Sequence, residues 1–254
     1  MLTIDLTDKL ALVTGASGEL GRTIARTLAS CGADVALHCH RGTDRAEAVA
    51  EEIRAMGRRA AVFQADVTSF ESVCAMRDAV RETLGAPQLI VANAVIQYPW
   101  TTLLDQPLED FQSQFASCAM QTVHLAKAFM PDMVKAGYGR YVAINTECAA
   151  MAEPTQSAYV AGKRALDGIV RVLAKEVGGS GITVNQVAPG WTVSDRDRAN
   201  GTESAPDYDR TVPLGRRGTD REIAQAVAFL LSDLASFTTG AYLPVSGGRV
   251  MPAI

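Results

Sequence analysis

The stretch LALVTGASGELGRTIARTLAS, residues 10–30, decides the fold. Its first four residues make a short apolar strand, and LGRTIARTLAS carries the spacing of an amphipathic helix. Between them TGASGELG, residues 14–21, forms a glycine-rich strand-to-helix turn. Glycines let a backbone approach a pyrophosphate closely, and a helix N-terminus adds N–H donors and the positive end of its dipole. Gly15, Ser17, Gly18, Leu20 and Gly21 are therefore expected around a dinucleotide. Without a ligand the same pattern is a tight turn and nothing more.

Outward from this unit, short β-branched runs alternate with longer helical patterns. Strands are expected at 10–13, 35–39, 61–64, 89–92, 141–144, 183–187 and 242–245, and helices at 20–31, 44–56, 69–84, 108–135, 157–177 and 220–232. In the helix at 157–177, Leu166, Ile169, Val170, Leu173 and Val177 have the spacing of a buried face, and Gly178-Gly179 reads as its C-terminal cap. This alternation predicts an α/β fold, a doubly wound parallel sheet flanked by helices, with ligands at the carboxyl ends of the strands. No linker, repeat or low-complexity tract divides the 254 residues, so one domain over 1–254 is expected.

Composition narrows the function. A net charge of −4 argues against a nucleic-acid partner, which calls for a basic face. Five cysteines, odd in number and without Cys-x-x-Cys spacing, argue against a disulfide scaffold or a zinc site and fit a reducing compartment. His38, His40 and His124 form no ligand-spaced set, so no metal is expected. The start MLTIDLTDKLALVTG lacks a basic region followed by a long apolar run, and no stretch approaches a membrane span. A soluble, cytoplasmic protein without a membrane partner is expected.

Two further stretches carry chemistry. After the second strand, VALHCHRG places His40 and Arg41 where an acid would hold the ribose 2′-hydroxyl of NAD, and no Asp or Glu follows until Asp44. An arginine there suits a 2′-phosphate, so NADP(H) is favoured over NAD(H), unless Arg41 is merely a solvated loop cation. Asp66, after the third strand, is placed to accept from an adenine amino group or is an ordinary strand-end aspartate. In QSAYVAGKRAL, Tyr159 and Lys163 lie one helical turn apart on one face. A phenol titrates at about 10, and a neighbouring ammonium favours its ionised form, making it a usable acid or base for an alcohol and a ketone. The pair alone also describes a core tyrosine with a solvated lysine behind it.

Taken together, TGASGELG, Asp66-Val67, Asn93-Ala94, Tyr159-x-x-x-Lys163, Pro189-Gly190 and Gly247-Gly248 resemble the short-chain dehydrogenase/reductase family over nearly the whole chain. The closing segment GRRGTDREIAQAVAFLLSDLASFTTGAYLPVSGG resembles that of 3-oxoacyl-carrier-protein reductases, and HCHRG the NADP loop of pteridine reductases. The resemblance implies a single Rossmann-type domain, usually a homotetramer, that interconverts a small-molecule ketone and a secondary alcohol with NADP(H). It gives Tyr159 the role of proton donor and has Lys163 hold the nicotinamide ribose while lowering the tyrosine pKa. Ser17, His40 and Arg41 would face the 2′-phosphate, while Asp66, Val67, Asn93, Pro189 and Gly190 would line the remaining cofactor.

The chain departs from this pattern at several positions. The substrate-orienting serine, thirteen residues before the tyrosine, is Thr146, which keeps the hydroxyl; Asn145 or Glu147 are alternative polar contacts. The relay asparagine of the central helix is Cys118, with Ser117 and Gln121 as nearby alternatives. The middle glycine of the turn is Glu19, which weakens phosphate binding if it points inward, and Asn-Ala-Gly becomes Asn93-Ala94-Val95. These changes support an alternative, a member without redox activity that senses a dinucleotide or catalyses dehalogenase-like chemistry. Residues 191–217, with the polar run DRDRANGTESAPDYDR, are read as a mobile substrate lid or a disordered loop, and Tyr98, Pro99 and Trp100 as the opposite pocket wall.

Overall fold

Unbroken apolar runs become strands that must be covered on both faces, which calls for helices above and below the sheet. The structure, a computed structural model, describes residues 3–251; the outermost positions of the expected 1–254 domain lie outside the described residues. In chain order the elements are β1 (Leu10–Val13), α1 (Glu19–Ser30), β2 (Asp34–Cys39), α2 (Thr43–Ala55), β3 (Ala60–Gln64), α3 (Phe70–Thr83) and β4 (Leu89–Ala92). There follow α4 (Leu108–Gln114), a π-helical segment (Phe115–Met120), α5 (Gln121–Ala136), β5 (Gly139–Ile144), α6 (Cys148–Met151), α7 (Ser157–Val177) and β6 (Ile182–Pro189). The chain closes with β7 (Thr192–Val193), α8 (Asp195–Asn200), α9 (Pro206–Asp209), β8 (Gly218–Thr219), α10 (Asp220–Leu231) and β9 (Tyr242–Val245).

Seven strands form one parallel sheet in the order β3-β2-β1-β4-β5-β6-β9. Successive residues of each strand serve opposite cores. Ala11, Val13, Leu89 and Val91 pack with Ile24, Leu28, Val227 and Leu231, while Leu10, Leu12, Ile90 and Ala92 pack with Leu125, Phe129, Leu166 and Val170. The order reverses between β1 and β4, which opens a crevice at their carboxyl ends.

Three expectations change in detail. The helix expected at 108–135 is α4, a π-helical turn and α5, because the chain inserts an extra residue per turn at Phe115–Met120. Gly178 is the C-cap of α7 as expected, but in a right-handed conformation; the left-handed glycine is Gly181, at φ 75°, after a short 3-10 turn over Gly178–Ser180. The polar run at 195–210 is not structureless: Ser194 and Asp197 form a capping box that starts α8, Pro206 starts α9, and β7 pairs with β8.

Candidate active site

Conformation and crowding explain the glycines of the turn. Gly15 sits at φ 66°, and a Cβ there would stand 3.0 Å from Ala94 Cα. A Cβ on Gly21 would come within 2.8 Å of Asn93 Nδ2 and overlap the Gly15 carbonyl oxygen. Gly18 is the exposed N-cap of α1, and Leu20 packs half-buried on the core beneath it. Glu19 is exposed and accepts the Asp195 N–H on Oε2 at 3.1 Å.

Two buried side chains that the sequence did not single out hold this turn. His38, at the end of β2, accepts the Gly15 N–H on Nδ1 at 3.1 Å and donates from Nε2 to the Ala65 carbonyl at 3.0 Å. Burial lowers its pKa from 6.5 to about 4, so the ring is neutral. The Thr14 hydroxyl accepts the Asn93 and Ala94 N–H groups (2.9 and 3.0 Å) and donates to Gln121 Oε1 at 2.6 Å. Asn93 in turn donates from Nδ2 to the Thr14 carbonyl at 2.9 Å, which ties β4 to the turn. A histidine or threonine next to a glycine turn was the available signal; which polar groups share its interior depends on strand order.

At the end of β2, His40 and Arg41 are exposed, and the Ser17 hydroxyl donates to the Arg41 carbonyl at 3.1 Å. Gly42, at φ 77°, turns the chain so that Arg45 lies over it, 3.2 Å from where a Cβ would stand. Arg45 is thus a second guanidinium at this corner. Asp66 uses Oδ1 to accept from the Thr68 N–H and hydroxyl (2.9 and 2.7 Å), which holds its carboxyl below the usual range. The Val67 carbonyl accepts from His124 Nδ1 at 2.9 Å. Pro189 accepts the Glu147 N–H at 2.8 Å, and Gly190 donates to Val245 at 3.0 Å.

Tyr159 and Lys163 project from the first turns of α7 toward the end of β5. Lys163 is 3% exposed, and its Nζ donates to the Ile144 carbonyl at 2.6 Å and lies 5.7 Å from the Tyr159 ring centre. Burial lowers the lysine pKa and pushes the Tyr159 phenol well above its ordinary 10; the facing Thr146 hydroxyl counters that rise. The expected lowering of the tyrosine by Lys163 is therefore not seen in the protein alone, because burial dominates. Tyr98 accepts the Tyr159 N–H on its hydroxyl at 2.7 Å, and Trp100 stacks on the Tyr159 ring at 6.0 Å.

Among the alternatives, Asn145 is committed to structure. It accepts the Thr146 N–H at 2.9 Å and donates to Gln186 Oε1 at 2.6 Å. Glu147 is turned toward Tyr208 and Arg249 rather than toward Tyr159. Cys118 is buried beside both Tyr159 and Lys163, and its thiol makes only a long 3.8 Å contact to Gln114 Oε1. Gln121 is occupied by Thr14, Ala94 and Ser117, and the Ser117 hydroxyl by Ser113. The structure thus gathers Thr146, Tyr159, Lys163 and Cys118 into one cluster at the carboxyl end of β5.

A seven-stranded parallel sheet with this cluster at its carboxyl edge defines a short-chain dehydrogenase/reductase, and the chain belongs to that family of oxidoreductases. A family model described as enoyl-(acyl carrier protein) reductase matches residues 15–249. A 3-oxoacyl-(acyl-carrier-protein) reductase of Pseudomonas aeruginosa is 38% identical over 254 residues, covering 98% of this chain and 100% of the relative. The Escherichia coli K12 enzyme of the same name is 37% identical over 243 residues, covering 96% and 98%. A short-chain type dehydrogenase/reductase from Mycobacterium marinum superposes with a TM-score of 0.88 at 30% identity, over 98% of each chain.

Proposed function

We propose that the protein is an NADP(H)-dependent oxidoreductase that interconverts a ketone and a secondary alcohol. The observation that carries this reading is the convergence of the Thr146 hydroxyl, the Tyr159 phenol and the buried Lys163 at the carboxyl end of β5, in a chain whose glycine cradle a Cβ would fill. The residues fit a dinucleotide phosphate: Gly15, Gly18 and Gly21 would border the pyrophosphate, and Ser17, His40, Arg41 and Arg45 offer hydroxyl, imidazole and guanidinium donors for a 2′-phosphate. Asp66 keeps Oδ2 for an adenine amino group, with Val67, Asn93, Pro189 and Gly190 along the rest of the cleft. Bound NADP(H) supplies or accepts the hydride.

The chain's own contribution is orientation and proton handling. Thr146 orients the carbonyl oxygen, and Tyr159 delivers a proton to it. Burial keeps that phenol protonated at neutral pH, which suits the donor role. Lys163 places a cation behind the forming phenolate, and Cys118 lies on the route by which the proton is replaced. A 3-oxoacyl thioester is the first candidate ketone, because the relatives carry that name. Residues 191–217 act as the lid. The Glu19 carboxylate is engaged by the Asp195 N–H, which supports redox function over the non-redox alternative. By resemblance the protein works as a cytoplasmic homotetramer, and exposed Leu104, Leu108 and Phe115 are suitable for a subunit contact.

Titration with NADPH and NADH by nicotinamide fluorescence tests this reading. Micromolar NADPH binding, weaker for NADH and lost in Arg41→Ala, is expected; Tyr159→Phe keeps that affinity and loses turnover. Binding of neither nucleotide refutes the proposal.

A further inference from the structure

Besides Asp220 and Glu222 of α10, which hold Arg198 and Arg216, two acidic side chains tie residues 191–217 at separate points, one from each turn that builds the site. At the first, Glu19 of the glycine-rich turn accepts the Asp195 N–H at the start of α8. Arg22 strengthens the same corner, pairing with Asp195 at 2.8 Å while its Nε donates to the Gly18 carbonyl at 3.3 Å. At the second, Tyr208 of α9 donates its hydroxyl to Glu147 Oε1 at 2.9 Å and accepts the Trp191 N–H at 2.8 Å. Arg249 donates to the same Glu147 oxygen at 2.9 Å and lies 4.7 Å over the Tyr208 ring.

The second tie is buried. The Glu147 side chain is 4% exposed, and a Cβ on Gly190 would stand 3.1 Å from its Oε2 and 2.7 Å from the Tyr208 hydroxyl. Only glycine at 190 leaves room for the contact. Between the ties Arg217, 4% exposed, makes the segment one piece: it donates to the Thr192 carbonyl at 2.9 Å and to Asp197 at 2.7 Å, and stacks 4.3 Å over Trp191. Both tying carboxylates stand at positions where the chain departs from its family or borders the catalytic threonine.

We propose that Glu19 and Glu147 are positioning residues that strap the lid to the cofactor turn and to the catalytic loop. The inference rests on the reading that 191–217 covers the substrate. Each strap governs its own end, α8 for Glu19 and α9 for Glu147, so loss of one frees its own half first. A charge-assisted hydrogen bond to a carboxylate gives such a tie its strength.

Limited trypsin digestion resolved by mass spectrometry reads both ends, because Arg196, Arg198 and Arg210 are exposed. Glu19→Gly is expected to raise cleavage at Arg196 and Arg198 about fivefold and to leave Arg210 within about twofold, since local opening follows local stability. Tyr208→Phe, which removes the strap without emptying the buried site, is expected to do the reverse. Glu19→Gln keeps an acceptor oxygen and restores the wild-type pattern. In turnover, Glu19→Gly and Tyr208→Phe raise KM for the ketone with kcat and NADPH affinity little changed. Unchanged cleavage, or an equal rise at all three sites, overturns the straps; so does a loss of NADPH affinity without a change in cleavage. A wild-type protein that reduces no ketone refutes the proposed function, and the cleavage pattern still decides the straps.

Discussion

Lowering the pH from 7 to 5 is expected to remove about 2 kcal/mol of stability through one side chain, His38. The imidazole is 1% exposed, and its Nδ1 must stay unprotonated to accept the Gly15 N–H. Burial lowers its pKa from 6.5 to about 4. The unfolded chain therefore takes up a proton before the folded one, and the contribution present above pH 6.5 is lost as the pH falls toward 4. Across the whole window the loss is 2.5 pH units at about 1.4 kcal/mol each, roughly 3 kcal/mol, of which about 2 is spent by pH 5. Against a typical total of about 5–15 kcal/mol that is a visible fraction.

Carboxylates contribute little in the same interval. Glu222, lowered from 4.5 to about 2 by Arg216, is still ionised in both states at pH 5 to within a few tenths of a kcal/mol. Urea unfolding at pH 7 and pH 5, in wild type and His38→Gln, isolates the term. Glutamine offers an acceptor and a donor but no titration, so its stability is expected to change far less between the two pH values. Parallel pH dependence in the two proteins would show that His38 does not titrate as its burial requires.

Two other outcomes follow from the site. Gly21→Ala places a Cβ against the Gly15 carbonyl and Asn93, where backbone cannot yield; a cost of at least about 3 kcal/mol in thermal unfolding and loss of NADPH binding are expected. Cys118→Asn replaces a thiol whose one contact is 3.8 Å long with an amide that can hydrogen-bond beside Lys163. A rise in kcat of about three- to tenfold, the worth of one net hydrogen bond, is expected, and a fall would place proton replacement elsewhere.

The sheet was legible because buried parallel strands are apolar runs, and LALV at 10–13 and LIVA at 89–92 emerge with the predicted bounds. Periodicity could not show the π-helical turn at Phe115–Met120, since apolar spacing over 108–135 suits a continuous helix equally well. The site divides along a similar line. Gly15, Gly21, Tyr159 and Lys163 announce themselves because their chemistry depends on local spacing. His38, Thr14 and Arg249 do not, because each acts on a segment that only the fold brings near: Gly15 for His38, Asn93 for Thr14, Glu147 for Arg249. Glu19 shows why a departure from a family pattern is ambiguous in sequence. A carboxylate in a phosphate turn reads as a defect until its partner, 176 positions away, is known. With Asp195 as that partner, the same residue links the glycine-rich turn to the start of α8, and the departure acquires a structural role.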